Sequence, residues 1–153
     1  MTPDLDKVKA LGNDLTKTYP RSPRETLGGY VIAARCVDKC RAFLLGINGE
    51  YNYWPCSLAN LLFAFTGVTP EQFKAVVATG ATDEQVGAWL KSHSKIQDQG
   101  AIIQWNNRTR DLRLSEMSLE TQAYMEEYIP KHVPTHRPVY VYFDVYDLEE
   151  KRL

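Results

Sequence analysis

The chain has 153 residues, a net charge of −1 and an apolar fraction of 44%. These values are typical of one globular domain, and the near-neutral charge argues against general binding to nucleic acid or anionic lipid. No segment approaches the roughly 18 consecutive apolar residues that span a bilayer, and the N-terminus lacks the apolar core of a signal peptide. We therefore expect a single domain over residues 1–153, located in the cytoplasm, without membrane or nucleic-acid partners.

The first half of the chain predicts helices separated by glycine and proline. An amphipathic N-terminal helix is expected within residues 1–18, because its apolar residues are three or four positions apart. Ser22, Pro23 and Glu25 then match a helix start, with the serine as cap and the proline at the first helical position. This pattern predicts a long second helix that runs to Gly46.

The capping pattern recurs further along the chain. It predicts helices that begin after Thr69 and Thr82, and apolar periodicity predicts others over 57–65 and 118–129. The stretch 102–114 is ambiguous between helix and loop. At the end of the chain, alternating β-branched and aromatic residues over 139–146 predict an extended strand, through which an oligomer could form. The expected fold is mainly α, a compact bundle of about five to seven helices with this short C-terminal strand.

The second predicted helix carries the strongest candidate for a binding site. At about 100° per residue its polar residues fall within one arc, and Arg21 lies beside the predicted helix N-terminus, where free N–H groups favour an anion. Two glycines in a helix interior suggest that another backbone or a ligand comes close. An ion pair between Arg35 and Asp38 and tight helix crossing would explain the same residues structurally. We call the six candidates the charged arc: Arg21, Arg24, Gly28, Arg35, Asp38 and Lys39.

The cysteines, histidines and aromatic loop leave further alternatives open. Three cysteines are an odd number, and we expect them to be reduced. A zinc site built from cysteine and histidine (Cys36, Cys40, Cys56, His93, His132 and His136) would lack the usual tight Cys pair, so no metal is predicted. Cys56 as a nucleophile would need a lowered thiol pKa, which sequence does not reveal. The loop over 51–55 is either an aromatic platform for a partner or a roof over the core. No phosphate-loop, dinucleotide or HExxH motif is present, and no cofactor is predicted.

The chain resembles a bacterial family known as domain of unknown function 5069. The resemblance is carried by Tyr19-Pro20-Arg21-Ser22-Pro23, Leu27-Gly28-Gly29-Tyr30, Ala34-Arg35 and Asp38-Lys39, and ends on Gly49-Glu50-Tyr51. It continues more weakly through 56–67 and returns at Phe143-Asp144. Where the family pattern would give Cys-Pro-Leu-Asp-Gln, this chain has Cys56-Ser57-Leu58-Ala59-Asn60, without the carboxylate. The resemblance implies a compact small domain and no established activity.

Two functional hypotheses follow. The first is a non-catalytic binding or interaction module that holds a small polar or anionic molecule, or a protein partner, at the charged arc. The second is a small enzyme in which Tyr30, Cys56 or His93 acts in the same cleft as acid, base or nucleophile. A buried group with a strongly shifted pKa would favour the enzyme. A purely structural role within a larger assembly is a third alternative.

Overall fold

The computed structural model describes residues 1–153. Eight α-helices follow one another, with one 3-10 turn at Leu114–Glu116 and no strand, so the mainly α fold class is confirmed. None of these helices combines the length and the apolar character that would let it cross a membrane. The helices are α1 (Leu5–Leu11), α2 (Ala33–Leu44), α3 (Ser57–Thr66), α4 (Pro70–Ala78), α5 (Asp83–His93), α6 (Gln99–Arg110), α7 (Leu119–His132) and α8 (Tyr142–Glu149).

The chain divides into two units, Met1–Ile103 and Gln104–Leu153. In the first unit α2 is central, because it contacts α1, α3 and α4. Every residue of α2 from Ala33 to Ala42 is buried, including four that are charged. A helix surrounded in this way must pair its charges within the protein, and this requirement shapes the site described below.

Two of the predicted capping patterns are present as capping boxes. Thr69 and Gln72 exchange hydrogen bonds at the start of α4, and Thr82 and Gln85 do the same at the start of α5. These reciprocal bonds satisfy backbone N–H groups that have no partner within the helix. The helix starts predicted at these two threonines are therefore confirmed.

The predicted start of the second helix is wrong. The helix begins at Ala33, and the residues before it form turns. Gly28 and Gly29 both have positive φ angles, 63° and 90°, and Leu27 and Tyr30 exchange backbone hydrogen bonds across them. This is the pattern of a tight hairpin turn, which a glycine pair favours. The two glycines therefore form a turn and do not lie in the interior of a helix.

Ser22 consequently does not cap a helix. Its Oγ accepts a hydrogen bond of 3.1 Å from the backbone N–H of Arg24 within a turn, and the backbone N–H of Glu25 donates to the Ser22 carbonyl. A serine followed by proline matches both a helix start and a turn, because the side chain bonds the nearby backbone in either case.

In the second unit, the predicted C-terminal strand is also wrong, because the segment forms α8. The side chain of Asp144 accepts hydrogen bonds from the backbone N–H groups of Tyr140 and Val141, at 2.9 and 3.1 Å. An acidic residue in the first turn satisfies these groups and favours the helix. The Tyr128 hydroxyl of α7 donates to Glu149 of α8 at 2.6 Å. Without a strand, an oligomer through a strand edge has no structural basis.

The remaining boundaries differ from prediction by small amounts. The N-terminal helix ends at Leu11, with Gly12 as its C-cap. The ambiguous stretch 102–114 is helical as far as Arg110, and α7 continues through Pro130 to His132. Whether the two units fold as one domain, as length suggests, stays a prediction.

Candidate functional site

The structure divides the charged arc into separate contacts. Arg24 and Gly28 lie in turns before α2, whereas Arg35, Asp38 and Lys39 lie on it. Arg21, Arg35 and Asp38 come together, because Arg35 donates to the Arg21 carbonyl at 3.2 Å and Arg21 binds Asp38. Lys39 contacts Cys56 instead. Whether the six residues bind a ligand stays a prediction.

Arg21 and Asp38 belong to a cluster of four charged side chains, which we call the ion-pair cluster (Arg21, Asp38, Arg41 and Asp83). Arg21 donates to both carboxylate oxygens of Asp38 through Nη2 and Nε, at 2.9 and 3.0 Å. It also donates to Asp83 at 2.9 Å, and Arg41 reaches the same carboxylate at 3.0 Å. Two arginines and two aspartates thus neutralise one another between α2 and the start of α5.

The electrostatic effects in this cluster are those of mutual pairing. Burial opposes ionisation of Arg21, but its hydrogen bonds to Asp38 and Asp83 outweigh burial and raise its pKa. Burial likewise raises the pKa of Asp83, but Arg21 and Arg41 more than offset it, so the pKa of Asp83 lies below its ordinary value. Arg21 and Asp83 therefore stabilise each other in the charged form.

The cluster lines a pocket in the first unit. The pocket has a volume of about 460 Å³ and is open to solvent. Arg41 is buried and its Nε has no hydrogen-bond partner, although its other nitrogens contact Asp83 and the Ala81 carbonyl. The lining residues are Leu11, Asn13, Arg21, Asp38, Arg41, Thr82, Asp83 and Glu84. Only two of the six predicted site residues are among them.

Gly28 is close to a second glycine. A Cβ atom placed on Gly28 would lie 2.7 Å from both the Cα and the carbonyl oxygen of Gly87 in α5. The backbone of another element therefore comes close at this glycine, which was one of the two explanations expected from sequence. Gly29 differs, because the space where its Cβ would lie is open.

Lys39 and Cys56 form a contact that sequence reasoning did not bring together, the Lys39–Cys56 pair. The Nζ atom of Lys39 donates to Cys56 Sγ at 3.2 Å. Only 6% of Lys39 is exposed, whereas Cys56 is partly exposed. Cys56 is also the N-cap of α3, where its Sγ accepts from the backbone N–H of Ala59 at 3.5 Å. The sulfur thus faces an ammonium group and the positive end of a helix.

These neighbours give the Cys56 thiol a pKa that differs from those of the other two cysteines. Burial tends to raise the pKa of the Cys56 thiol, but Lys39 and the N–H of Ala59 more than offset burial, so the pKa lies below its ordinary value. Burial raises the pKa of Cys36 to about 12 and raises that of Cys40 as well. Cys56 is therefore the cysteine that most readily forms a thiolate, the reactive form of the side chain.

The aromatic loop over 51–55 fixes the chain that leads to Cys56. Tyr53 is buried, packs against Phe63 and Phe73, and donates from its hydroxyl to the Pro70 carbonyl at 2.6 Å. Trp54 packs edge-to-face on Phe63 and keeps 39% of its surface exposed. The loop is therefore anchored in the core of the first unit, and this anchor positions the N-terminus of α3.

Two of the three histidines considered for metal binding, His93 and His132, pack against aromatic rings. His93 stacks on Trp89 with a ring distance of 4.6 Å and contacts the Trp89 carbonyl at 2.9 Å. His132 packs on Tyr128, and its Nδ1 lies 3.7 Å from Glu149. No group of three or more Cys, His, Asp or Glu side chains is arranged to hold a metal ion.

The comparison with known families agrees with the resemblance found in the sequence. No match is found among curated proteins. The model of the family described as a domain of unknown function, DUF5069, matches residues 17–152. This range contains the ion-pair cluster, the Lys39–Cys56 pair and helices α2 to α8. The chain therefore belongs to the DUF5069 family.

Proposed function

We propose that the protein is a small thiol-dependent enzyme in which Cys56 is the nucleophile and Lys39 is its charge partner. The observation that carries the proposal is the 3.2 Å contact between the buried Lys39 ammonium and Cys56 Sγ. This is the enzyme hypothesis with the cysteine, rather than Tyr30 or His93, as the reacting group.

The physical argument starts from the cost of burying an ammonium group. A buried charge is tolerated when it has a partner of opposite charge, and Lys39 has no carboxylate in hydrogen-bond contact. The thiolate of Cys56 supplies the negative charge that the site needs. Formation of the ion pair and the lowered thiol pKa are two consequences of the same contact.

The surroundings of the sulfur also support selective reactivity. Cys56 is partly exposed, and Cys36 and Cys40 are buried with raised thiol pKa values. A reagent or substrate would meet one accessible thiolate and two protected thiols. We also propose that the protein acts in the cytoplasm, since three free thiols are expected to persist in a reducing compartment.

Alkylation with iodoacetamide tests the proposal. We expect Cys56 to react before the other two cysteines, with a half-maximal rate at a pH below the ordinary thiol pKa. Lys39→Met should move that midpoint to higher pH, whereas Lys91→Met, an exposed lysine at the end of α5, should leave it unchanged. Peptide mass spectrometry gives the rate for each cysteine. Reaction of Cys56 at the rate and pH midpoint of an unperturbed cysteine would exclude the enzyme we propose.

A second candidate function is binding of a small polar molecule at the pocket lined by the ion-pair cluster. The observation that favours it is an open pocket of about 460 Å³ whose lining contains the buried, unpaired Nε of Arg41. Two arginines face two aspartates and Glu84, so the lining has no excess of positive charge. This balance favours a zwitterion over a simple anion.

Thermal denaturation distinguishes these ligand classes. A panel of zwitterionic amino acids should contain one that raises the melting temperature of the wild type but not of Asp83→Asn. Inorganic phosphate should change the melting temperature of the wild type no more than it changes that of Asp83→Asn. If no amino acid raises the melting temperature, the pocket does not bind a zwitterion.

A further inference from the structure

The Lys39 ammonium has more hydrogen-bond donors than the protein uses. It carries three N–H groups, and Cys56 Sγ is its hydrogen-bond acceptor. With 6% of its surface exposed, Lys39 is largely shielded from solvent that could satisfy the other two. A buried charged group with unused donors, next to a nucleophile, is arranged to receive an additional acceptor atom.

Backbone donors converge on the same sulfur. The N–H of Ala59 points at Cys56 Sγ from 3.5 Å, and the backbone N–H of Leu58 also lowers the pKa of the thiol. The helix that supplies them, α3, is ten residues long. Negative charge that forms close to Cys56 Sγ would therefore meet an ammonium group and the first turn of a helix.

We infer that the substrate of Cys56 is an acyl compound, such as a thioester or activated ester, and that Lys39 binds the oxyanion of its tetrahedral intermediate. This inference rests on the proposed function. When a thiolate adds to a carbonyl group, the negative charge forms on the carbonyl oxygen, two bonds away from the sulfur. This oxygen is within reach of a donor that already contacts the sulfur. In displacement at a saturated carbon, the departing group lies on the side opposite the sulfur, where these donors do not reach.

The reaction is an acyl transfer. The Cys56 thiolate attacks the carbonyl carbon, the C–S bond forms, and the carbonyl π electrons move to oxygen, which accepts hydrogen bonds from Lys39. The intermediate then collapses, the bond to the leaving group breaks with its electron pair, and an acyl thioester remains on Cys56. Water attacks the carbonyl carbon of this thioester and gives one proton to the solvent, the C–S bond breaks with its electron pair on sulfur, and a carboxylic acid and the Cys56 thiolate are released.

Two probes with different geometries test the inference. Iodoacetamide reports displacement at a saturated carbon, and p-nitrophenyl acetate reports acyl transfer. The rate measured with Cys56→Ser is first subtracted as background. The remaining rate constant is then divided by the fraction of Cys56 that is thiolate at the pH of the assay. We expect Lys39→Met to lower the corrected acylation rate about 100-fold, the loss typical of an oxyanion donor, and to change alkylation less than about threefold. Lys39→Arg, which keeps donors and charge, should restore part of the acylation rate.

The outcomes separate this inference from the proposed function. Equal changes in both corrected rates would overturn the acyl substrate and leave Cys56 as a reactive thiolate. Ordinary thiol reactivity of wild-type Cys56 toward both probes would overturn the proposed function itself. If Lys39→Met fails to fold, Lys39→Arg carries the test, because a corrected acylation rate that falls no more than alkylation would again contradict the inference.

Discussion

Asp38 and Lys39 are adjacent residues of α2, both buried and both charged, yet their surroundings differ. Asp38 belongs to a cluster of two arginines and two aspartates, in which each charge has an opposite charge in contact. Lys39 faces a thiol and retains unused donors. Pairing between arginines and aspartates is typical of a structural role, whereas an ammonium group paired with a titratable nucleophile is the arrangement on which our functional proposal depends.

The largest effect should come from breaking the ion-pair cluster. Asp38 is 5% exposed and accepts three hydrogen bonds from Arg21. We expect Asp38→Ala to lower the free energy of unfolding by about 3 kcal/mol, because it leaves Arg21 partly buried with one carboxylate fewer. Glu84→Ala, an exposed residue of the same pocket, should change it by less than about 0.5 kcal/mol. Equal losses for both variants in urea denaturation would refute a structural role of the cluster.

A smaller loss should follow from filling the contact between the two glycines. Gly28→Ala combines a positive φ angle with a clash against the Gly87 backbone, and we expect a loss of about 2.5 kcal/mol. Gly29→Ala has a positive φ angle and open space, so it should lose about 1 kcal/mol. Denaturant unfolding of both variants measures the difference. If Gly28→Ala is as stable as the wild type, the glycine contact is not tight.

Lys39→Met should behave in the opposite way to Asp38→Ala. It removes a buried ammonium whose hydrogen-bond acceptor is the Cys56 sulfur, and this sulfur can stay protonated when the lysine is absent. We expect the free energy of unfolding to stay the same or to rise by up to about 1 kcal/mol, while Cys56 loses reactivity. A loss of stability comparable to that of Asp38→Ala would make Lys39 a structural residue and erase the contrast on which the functional proposal depends.

The smallest effect concerns the pH dependence of stability. The pKa of Cys56 is lowered in the folded protein, so its ionisation contributes stability above the unfolded thiol pKa, and this contribution is lost as the pH falls through the folded pKa. The stability difference between wild type and Cys56→Ala should therefore increase in favour of the wild type as the pH rises through this range. Urea denaturation across pH measures it. A difference that decreases with rising pH would mean that the folded protein disfavours the thiolate.

Local signals in the sequence predict most of the helices. The starts of α4 and α5 follow from Thr69 and Thr82, because a capping box depends on residues three positions apart. The errors at Ser22 and at 139–146 have the same origin. A serine followed by proline suits a turn as well as a helix, and β-branched and aromatic residues suit any buried position, so distant contacts decide between the alternatives.

The site was less predictable than the fold. The sequence identified Asp38 and Lys39 as charged residues of one helix. It also identified Cys56 as a candidate nucleophile, but it showed no neighbour that would lower the pKa of the thiol. The missing partner, Lys39, lies 17 positions away from Cys56, and Asp83 lies 62 positions away from Arg21. No spacing rule joins residues so far apart. The prediction that the residues of the charged arc share one helix face is wrong for Arg24 and Gly28, because both precede the start of α2.

The central claim is that Lys39 favours the thiolate form of Cys56, and the ultraviolet absorbance of the thiolate measures this directly. A pH titration of the wild type minus that of Cys56→Ser isolates the ionisation of this cysteine. The account predicts a midpoint below the ordinary thiol pKa in the wild type, and a higher midpoint in Lys39→Met. A wild-type midpoint at or above the ordinary value, unchanged by Lys39→Met, would contradict it.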